Sequence, residues 1–261
     1  MPTLRISGLT VSLDGPDVLP RGWALLQPFL VGDVASPDLR LAWSLGPAPV
    51  RPREAGEVRV SDLPSGRVSF VRWDFEGMVD PARGVGDLRT SPSAGAVGAA
   101  LRFAVALGLL ERDGLLLHAA AMSRGGRAYV LCGPSGAGKS TTAGLSAGRA
   151  TVLSDELPAL RRSASGWDAF GTPFHGDLRA ALPQGAPLGR LALLEQSARV
   201  ELVALAPAEA ARRLYAQVFR VGADPRRHTR WLSLVAALVR SPGCGVLRFR
   251  REPSFWDALA A

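Results

Sequence analysis

Gly133-Pro-Ser-Gly-Ala-Gly-Lys-Ser140 matches the pattern G-x-x-x-x-G-K-[ST], and it constrains the chain more than any other segment. An apolar run, Ala128-Tyr-Val-Leu-Cys132, reads as a strand ending at the first glycine, and a helix is expected from Lys139 to about Gly148. Glycines let the backbone curl so that its N–H groups face an anion, and a helix start favours negative charge. In such a loop the lysine reaches the β- and γ-phosphates and the serine hydroxyl meets Mg²⁺. The implied ligand is a nucleoside triphosphate with Mg²⁺, its base unspecified because residues that contact a base follow no short motif. The residues expected to contact it are Gly133, Pro134, Ser135, Gly136, Ala137, Gly138, Lys139, Ser140 and Thr141.

Composition sharpens one of these. Of 31 basic residues only Lys139 is lysine; the chain has no asparagine and one isoleucine, Ile6, as expected of a GC-rich coding sequence. A position that keeps lysine against that drift needs a compact ammonium on a flexible stem rather than a planar guanidinium.

A nucleotide loop also needs a carboxylate at a neighbouring strand end. Thr151-Val-Leu-Ser-Asp155-Glu156 supplies two, beginning 16 residues after Lys139, and strand, loop, helix and strand predict a parallel pairing beside the loop strand. Ser140, Asp155 and Glu156 are the candidate metal ligands. One acid can hold the metal while the other accepts a proton. His118 lies 15 residues before Gly133, in a run Leu115–Met122 that reads as one buried strand. His175 and Arg179 fall in a Pro/Gly-rich loop from Thr172 to Gly189 that is placed to cover a site.

Residues 1–92 carry short alternating apolar runs at Leu4–Leu13, Leu39–Leu45, Val58–Val60 and Arg67–Trp73, broken at Gly46-Pro-Ala-Pro and Leu63-Pro-Ser-Gly. They read as a β-rich N-terminal region. From Ser93, a candidate N-cap, a helix is expected to about Arg112, and strands then alternate with helices. The expected organisation is a 1–92 region and a 93–261 catalytic domain of α/β class.

The net charge of +8 is spread over arginines without interleaved aromatics, which argues for a solvated basic surface and against specific nucleic-acid binding. Two cysteines 112 residues apart suit a reducing cytoplasm better than a disulfide framework. The start of the chain has no signal-like apolar core, and the longest apolar stretch, Gly95–Leu110, is broken by Arg102, so no membrane partner is expected. A homo-oligomer is compatible with the composition.

Taken together, Leu117-His-Ala-Ala-Ala, Val130-Leu-Cys-Gly-Pro-Ser-Gly-Ala-Gly-Lys-Ser-Thr and Leu153-Ser-Asp-Glu resemble the catalytic domain of HPr kinase/phosphorylase over roughly residues 97–195. The resemblance is closest to the shorter HPr-kinase-like proteins. It implies an HPr-kinase/PEP-carboxykinase-like P-loop core in which Asp155 activates a serine hydroxyl. Glu156 would then be a metal or second-sphere ligand, and His118 would stand near the transferred phosphoryl group, so that Asp155, Lys139 and His118 form the catalytic set. The chain departs from the family at Thr141 (a glutamate there), at Glu156 (an aspartate there), and in lacking the Arg-Gly-Leu-Gly-Ile-Ile type of segment tied to phosphorolysis. The implied activity is a kinase acting on a serine of a small protein or peptide, and ATP is the expectation that goes with a kinase. A nucleotide-sensing interaction module and a small-metabolite kinase are the alternatives.

Overall fold

Strand-forming sequence dominates the folded chain: 39% of the described residues lie in strands and 26% in helices. The computed structural model describes residues 2–15, 24, 26–46 and 57–260. These form two units, Met1–Arg112 with Arg220–Arg227, and Asp113–Phe219 with His228–Ala261.

In the first unit, β1 (Thr3–Ile6) and β2 (Leu9–Asp14) form a hairpin where one run was expected. Ser7 and Gly8 turn it with φ of 55° and 76°, the two positive values of a type I′ turn. The other strands are β3 (Leu30–Val31), β4 (Leu39–Leu45), β5 (Arg59–Asp62), β6 (Val68–Arg72), β7 (Phe75–Asp80) and β8 (Val85–Thr90). They assemble in the order β3-β1-β2-β4-β8-β7-β6-β5. The break expected at Gly46-Pro-Ala-Pro falls mostly on residues 47–56, outside the described residues.

Helix α1 (Ala94–Leu110) belongs to this first unit. Ser93 caps it as its sequence suggests, the hydroxyl accepting the Ala96 N–H at 3.1 Å. Phe103 stacks on Phe70 at a centroid distance of 5.0 Å, and Gly108 allows close approach of Leu9. Residues 220–227 join the unit through Asp62, which pairs with Arg227 and accepts the Ala223 N–H at 2.6 Å.

In the second unit, β9 (Gly114–Leu116), β10 (Ala119–Arg124) and β11 (Arg127–Cys132) precede α2 (Lys139–Leu145) and β12 (Thr151–Ser154). Then come β13 (Ala159–Ser163), β14 (Gly166–Phe170), β15 (Gly185–Gln196), β16 (Glu201–Ala204), α3 (Pro207–Tyr215), α4 (Pro225–Leu238), β17 (Cys244–Phe249) and α5 (Phe255–Ala260); α4 begins inside the 220–227 segment of the first unit. The main path of the sheet runs β12-β10-β11-β15-β14-β13-β9, with β17 on β15 and β16 on β17. A core of Leu131, Ala192, Leu194, Leu247, Phe249, Phe255 and Trp256 lies on the side of this sheet that α5 covers.

The α/β class with an HPr-kinase/PEP-carboxykinase-like P-loop core is therefore corrected to a β-rich fold built on two large mixed sheets. Among the described strand pairs only β2–β4, β4–β8, β11–β15 and β15–β17 are parallel. The physical reason lies in the connections. Gly125 and Gly126, with φ of 57° and 73°, close a tight β10–β11 hairpin, and a short turn before Gly166 closes β13–β14. Such turns make antiparallel neighbours, whereas a parallel pair needs a long crossover. From β9 to β15 a single named helix, α2, interrupts the strands.

Candidate nucleotide site

The loop after β11 keeps its shape for reasons written in its glycines. Gly138 has φ of +109°, and a Cβ there would lie 2.5 Å from the Phe249 ring. Gly133 is buried, and a Cβ on it would lie 2.6 Å from that of Ala137. Side chains are thus excluded by backbone conformation at one end and by crowding at the other. Between them Pro134, Ser135 and Gly136 are exposed, with Gly136 at φ +79° and the Ala137 N–H turned back to the Pro134 carbonyl at 3.1 Å.

Lys139 folds over this loop. Its Nζ donates to the carbonyls of Gly133 at 2.9 Å and Pro134 at 3.0 Å. An ammonium has three donors, so one remains for an anion in the loop. Ser140 and Thr141, on the first turn of α2, are half-buried. Thr142 is fully buried, its hydroxyl donating toward the carbonyls of Gly138 and Lys139 at 3.1 and 2.8 Å, which fastens the helix start to the loop. The helix itself has 7 residues, so the loop amides and Lys139 carry any anion binding rather than a long helix dipole.

The acids sit one strand further away than the sequence suggests. β12 runs in the same direction as β11 but is separated from it by β10, which is antiparallel to both. Ala119 pairs with Cys132, and Ala121 pairs with Ser154. His118, Gly133 and Asp155 therefore leave three adjacent strands at the same end of the sheet. The expected parallel pairing beside the loop strand is corrected to this arrangement, a lateral offset of about 9.6 Å.

The run Leu115–Met122 is not one strand but changes partner at Leu117-His118. There the Leu117 and Ala119 N–H groups donate to the carbonyls of Pro158 and Glu156 at 3.1 Å, and the His118 N–H donates to Gln217 at 2.8 Å. This exchange places His118 beside Glu156. Nδ1 of His118 and Oε1 of Glu156 are 3.6 Å apart, an ion pair when the imidazole is protonated and too long for a hydrogen bond. The ring also lies edge-on to Phe219, at 5.9 Å between centroids.

Asp155 is completely buried. Its carboxylate accepts the Gly176 N–H on Oδ1 at 2.9 Å and the Leu178 N–H on Oδ2 at 2.7 Å, which offsets the burial of its charge. The segment that supplies these donors is tied to the β12 side at both ends. The Thr172 hydroxyl donates to the Leu157 carbonyl at 2.6 Å, and the Leu182 N–H to the Leu153 carbonyl at 3.0 Å. Residues 172–182 thus form a strap across Asp155. His175 turns its Nδ1 onto the Gly176 carbonyl at 2.8 Å, and Arg179 is exposed with φ of +53°.

Several contributors carry no sequence motif. Gln196, the last residue of β15, donates its Nε2 to the Gly136 carbonyl at 2.9 Å, and Phe249, at the end of β17, lies against Gly138. Their only signal is position at the end of β15, which pairs with β11, and at the end of β17, which pairs with β15. Among the described residues no group of three or more His, Cys, Asp and Glu side chains could hold a metal ion. Mg²⁺ in triphosphate sites takes one or two carboxylates, with phosphate oxygens and water completing the shell; Ser140, Asp155 and Glu156 are oxygen donors of that class, with Asp155 covered by the strap amides. No protein-family model matches the sequence, and no curated protein matches it.

Proposed function

We propose that this chain is a Mg-ATP-dependent kinase that transfers the γ-phosphoryl group to a hydroxyl, with a serine of a small protein or peptide as acceptor. The observation that carries this reading is the exit of the glycine loop, His118 and the Asp155-Glu156 pair from three adjacent strands at one end of the sheet. The motif resemblance to HPr kinase/phosphorylase supports it through those same segments and not through the fold as a whole.

In this reading the loop amides and Lys139 bind the β- and γ-phosphates, and Gln196 keeps the loop in register through Gly136. Phosphoryl transfer asks mostly for positioning and charge neutralisation. The serine oxygen bonds to the γ-phosphorus, the bond from that phosphorus to the bridging oxygen breaks, and ADP leaves. Asp155, buried here under the Gly176 and Leu178 amides, takes the serine proton once residues 172–182 move aside to admit the substrate. Ser140, Asp155 and Glu156 would hold Mg²⁺, which when bound supplies neutralising charge at the phosphoryl oxygens. His118, paired with Glu156, offers a second cationic contact to the transferring group when protonated.

One observation favours a second reading, a nucleotide-gated interaction module. Lys139 rests on loop carbonyls and Asp155 on the strap amides, so a bound nucleotide would exchange both contacts and shift residues 172–182. Asp155→Asn separates the two readings. A kinase keeps ATP binding and loses transfer, whereas a gated binder keeps nucleotide-dependent partner binding. Lys139→Ala binding ATP as tightly as the parent would overturn both. Label from γ-labelled ATP recovered in a small molecule rather than in a polypeptide would reassign the acceptor to a metabolite.

A further inference from the structure

The proposed kinase site has two flanks, and the acids assigned to transfer stand on only one of them. Asp155, Glu156 and His118 all lie on the β10 and β12 side of the glycine loop. A triphosphate whose γ-phosphorus faces those groups must send its α-phosphate and nucleoside the other way, over β15 and β17. These two strands are parallel to β11 and outrun it. Cys132, the last residue of β11, pairs with Leu193, and Leu193 pairs with Val246, yet β15 continues to Gln196 and β17 to Phe249. The three extra residues on each make a shelf about 10 Å deep beside the loop.

The shelf is already engaged with the loop through Gln196 on the Gly136 carbonyl and Phe249 against Gly138. Its two exits are tied together by the Ser197 N–H on the Phe249 carbonyl at 2.8 Å. Beyond Phe249 the chain turns tightly through Arg250, Arg251 and Glu252, all exposed. The Arg250 Nε pairs with Glu252 at 2.9 Å, and Arg251 has no side-chain partner among the described residues. Arg248, by contrast, is spent on Glu195 and Glu201 at 3.0 Å each.

We propose that Arg250, Arg251 and Glu252 form the nucleoside subsite, taking the base and ribose of the nucleotide whose phosphates lie in the loop. This rests on the nucleotide reading above and adds where the nucleoside goes. Guanidinium planes stack on flat aromatic rings, which suits a nucleobase better than an ammonium would. Glu252 offers an acceptor for an exocyclic amine or a ribose hydroxyl.

The test compares the binding of ATP and of inorganic tripolyphosphate, with Mg²⁺, to the full chain and to an Arg250→Ala/Arg251→Ala double variant. Tripolyphosphate has the phosphates without the nucleoside, and its retained binding reports that the variant is folded. The subsite predicts that ATP affinity falls by about tenfold or more while tripolyphosphate affinity stays within about twofold. Unchanged ATP affinity would overturn it. So would an equal loss for both ligands, which would make the arginines a general attraction for phosphate. If the parent chain binds neither ligand, the nucleotide reading itself falls and takes the subsite with it. If it binds tripolyphosphate as tightly as ATP, the phosphate loop stands and the nucleoside subsite does not.

Discussion

Lys139 spends two of its three ammonium donors on the carbonyls of Gly133 and Pro134. A guanidinium keeps the charge but is longer and planar, so Lys139→Arg is expected to lower ATP affinity by about tenfold or more, read by calorimetric titration. Gly138→Ala meets both a positive φ and the Phe249 ring. It is expected to cost about 1–3 kcal/mol in denaturant unfolding and to weaken ATP binding in parallel. The cysteines give a pH signature. Burial pushes the Cys244 thiol up to about 11 from its ordinary 9, and pushes Cys132 up as well. Between those values the unfolded chain has released its Cys244 proton and the folded chain still holds it. Stability is therefore full below pH 9 and falls as pH rises from 9 to 11, by about 2–3 kcal/mol from Cys244. Denaturant midpoints across that range should show the fall, and Cys244→Ala should show a shallower one. At this scale the strand, loop and helix around Gly133–Lys139 were legible in the sequence, because an apolar run, clustered glycines and a helix start follow one another there. Gln196 was not, since a glutamine at a strand end has no pattern until its neighbours are known.

In the proposed kinase, the strap over Asp155 is the element on which transfer would depend. A Cβ at Gly176 would stand 3.1 Å from Asp155 Oδ2 and 3.3 Å from the Glu156 Cβ. Gly176→Ala is therefore expected to displace the carboxylate and lower the transfer rate by about tenfold or more while ATP affinity stays near that of the parent. Equal losses in both would place the strap in nucleotide binding instead. Helix α1 was legible down to its cap, and Ser93→Ala should cost about 1 kcal/mol of stability in the same unfolding measurement. The β9–β10 break was not legible. Leu115–Met122 contains neither proline nor glycine, and it divides only because Leu117 and His118 find partners at residues 156–158 and 217–219. β7 and β8 also escaped sequence reading. Gly77 sits under the Phe70 ring, and Gly86 and Asp87 interrupt β8, so neither run shows clean alternation.

Across the whole molecule, alternating strands and helices suggested an α/β core, and the short connections overturned it. Turn residues decide whether consecutive strands become hairpin neighbours, and here they do so repeatedly. No helix among the described residues is long and apolar enough to cross a membrane. Each unit has its own core. Phe103→Ala in α1, which loses its packing on Phe70 and Phe75, is expected to destabilise the first unit by about 3–5 kcal/mol in thermal or denaturant unfolding. The central claim, a phosphoryl transfer in the second unit, is tested most directly with γ-labelled ATP and Mg²⁺ in lysate of the source cells, the parent chain beside Asp155→Asn. A kinase predicts a labelled polypeptide, phosphorylated on serine, that appears with the parent and not with the variant. Equal labelling by the variant would contradict the assignment of Asp155, and no labelled polypeptide from a parent chain that binds ATP would contradict the protein or peptide acceptor.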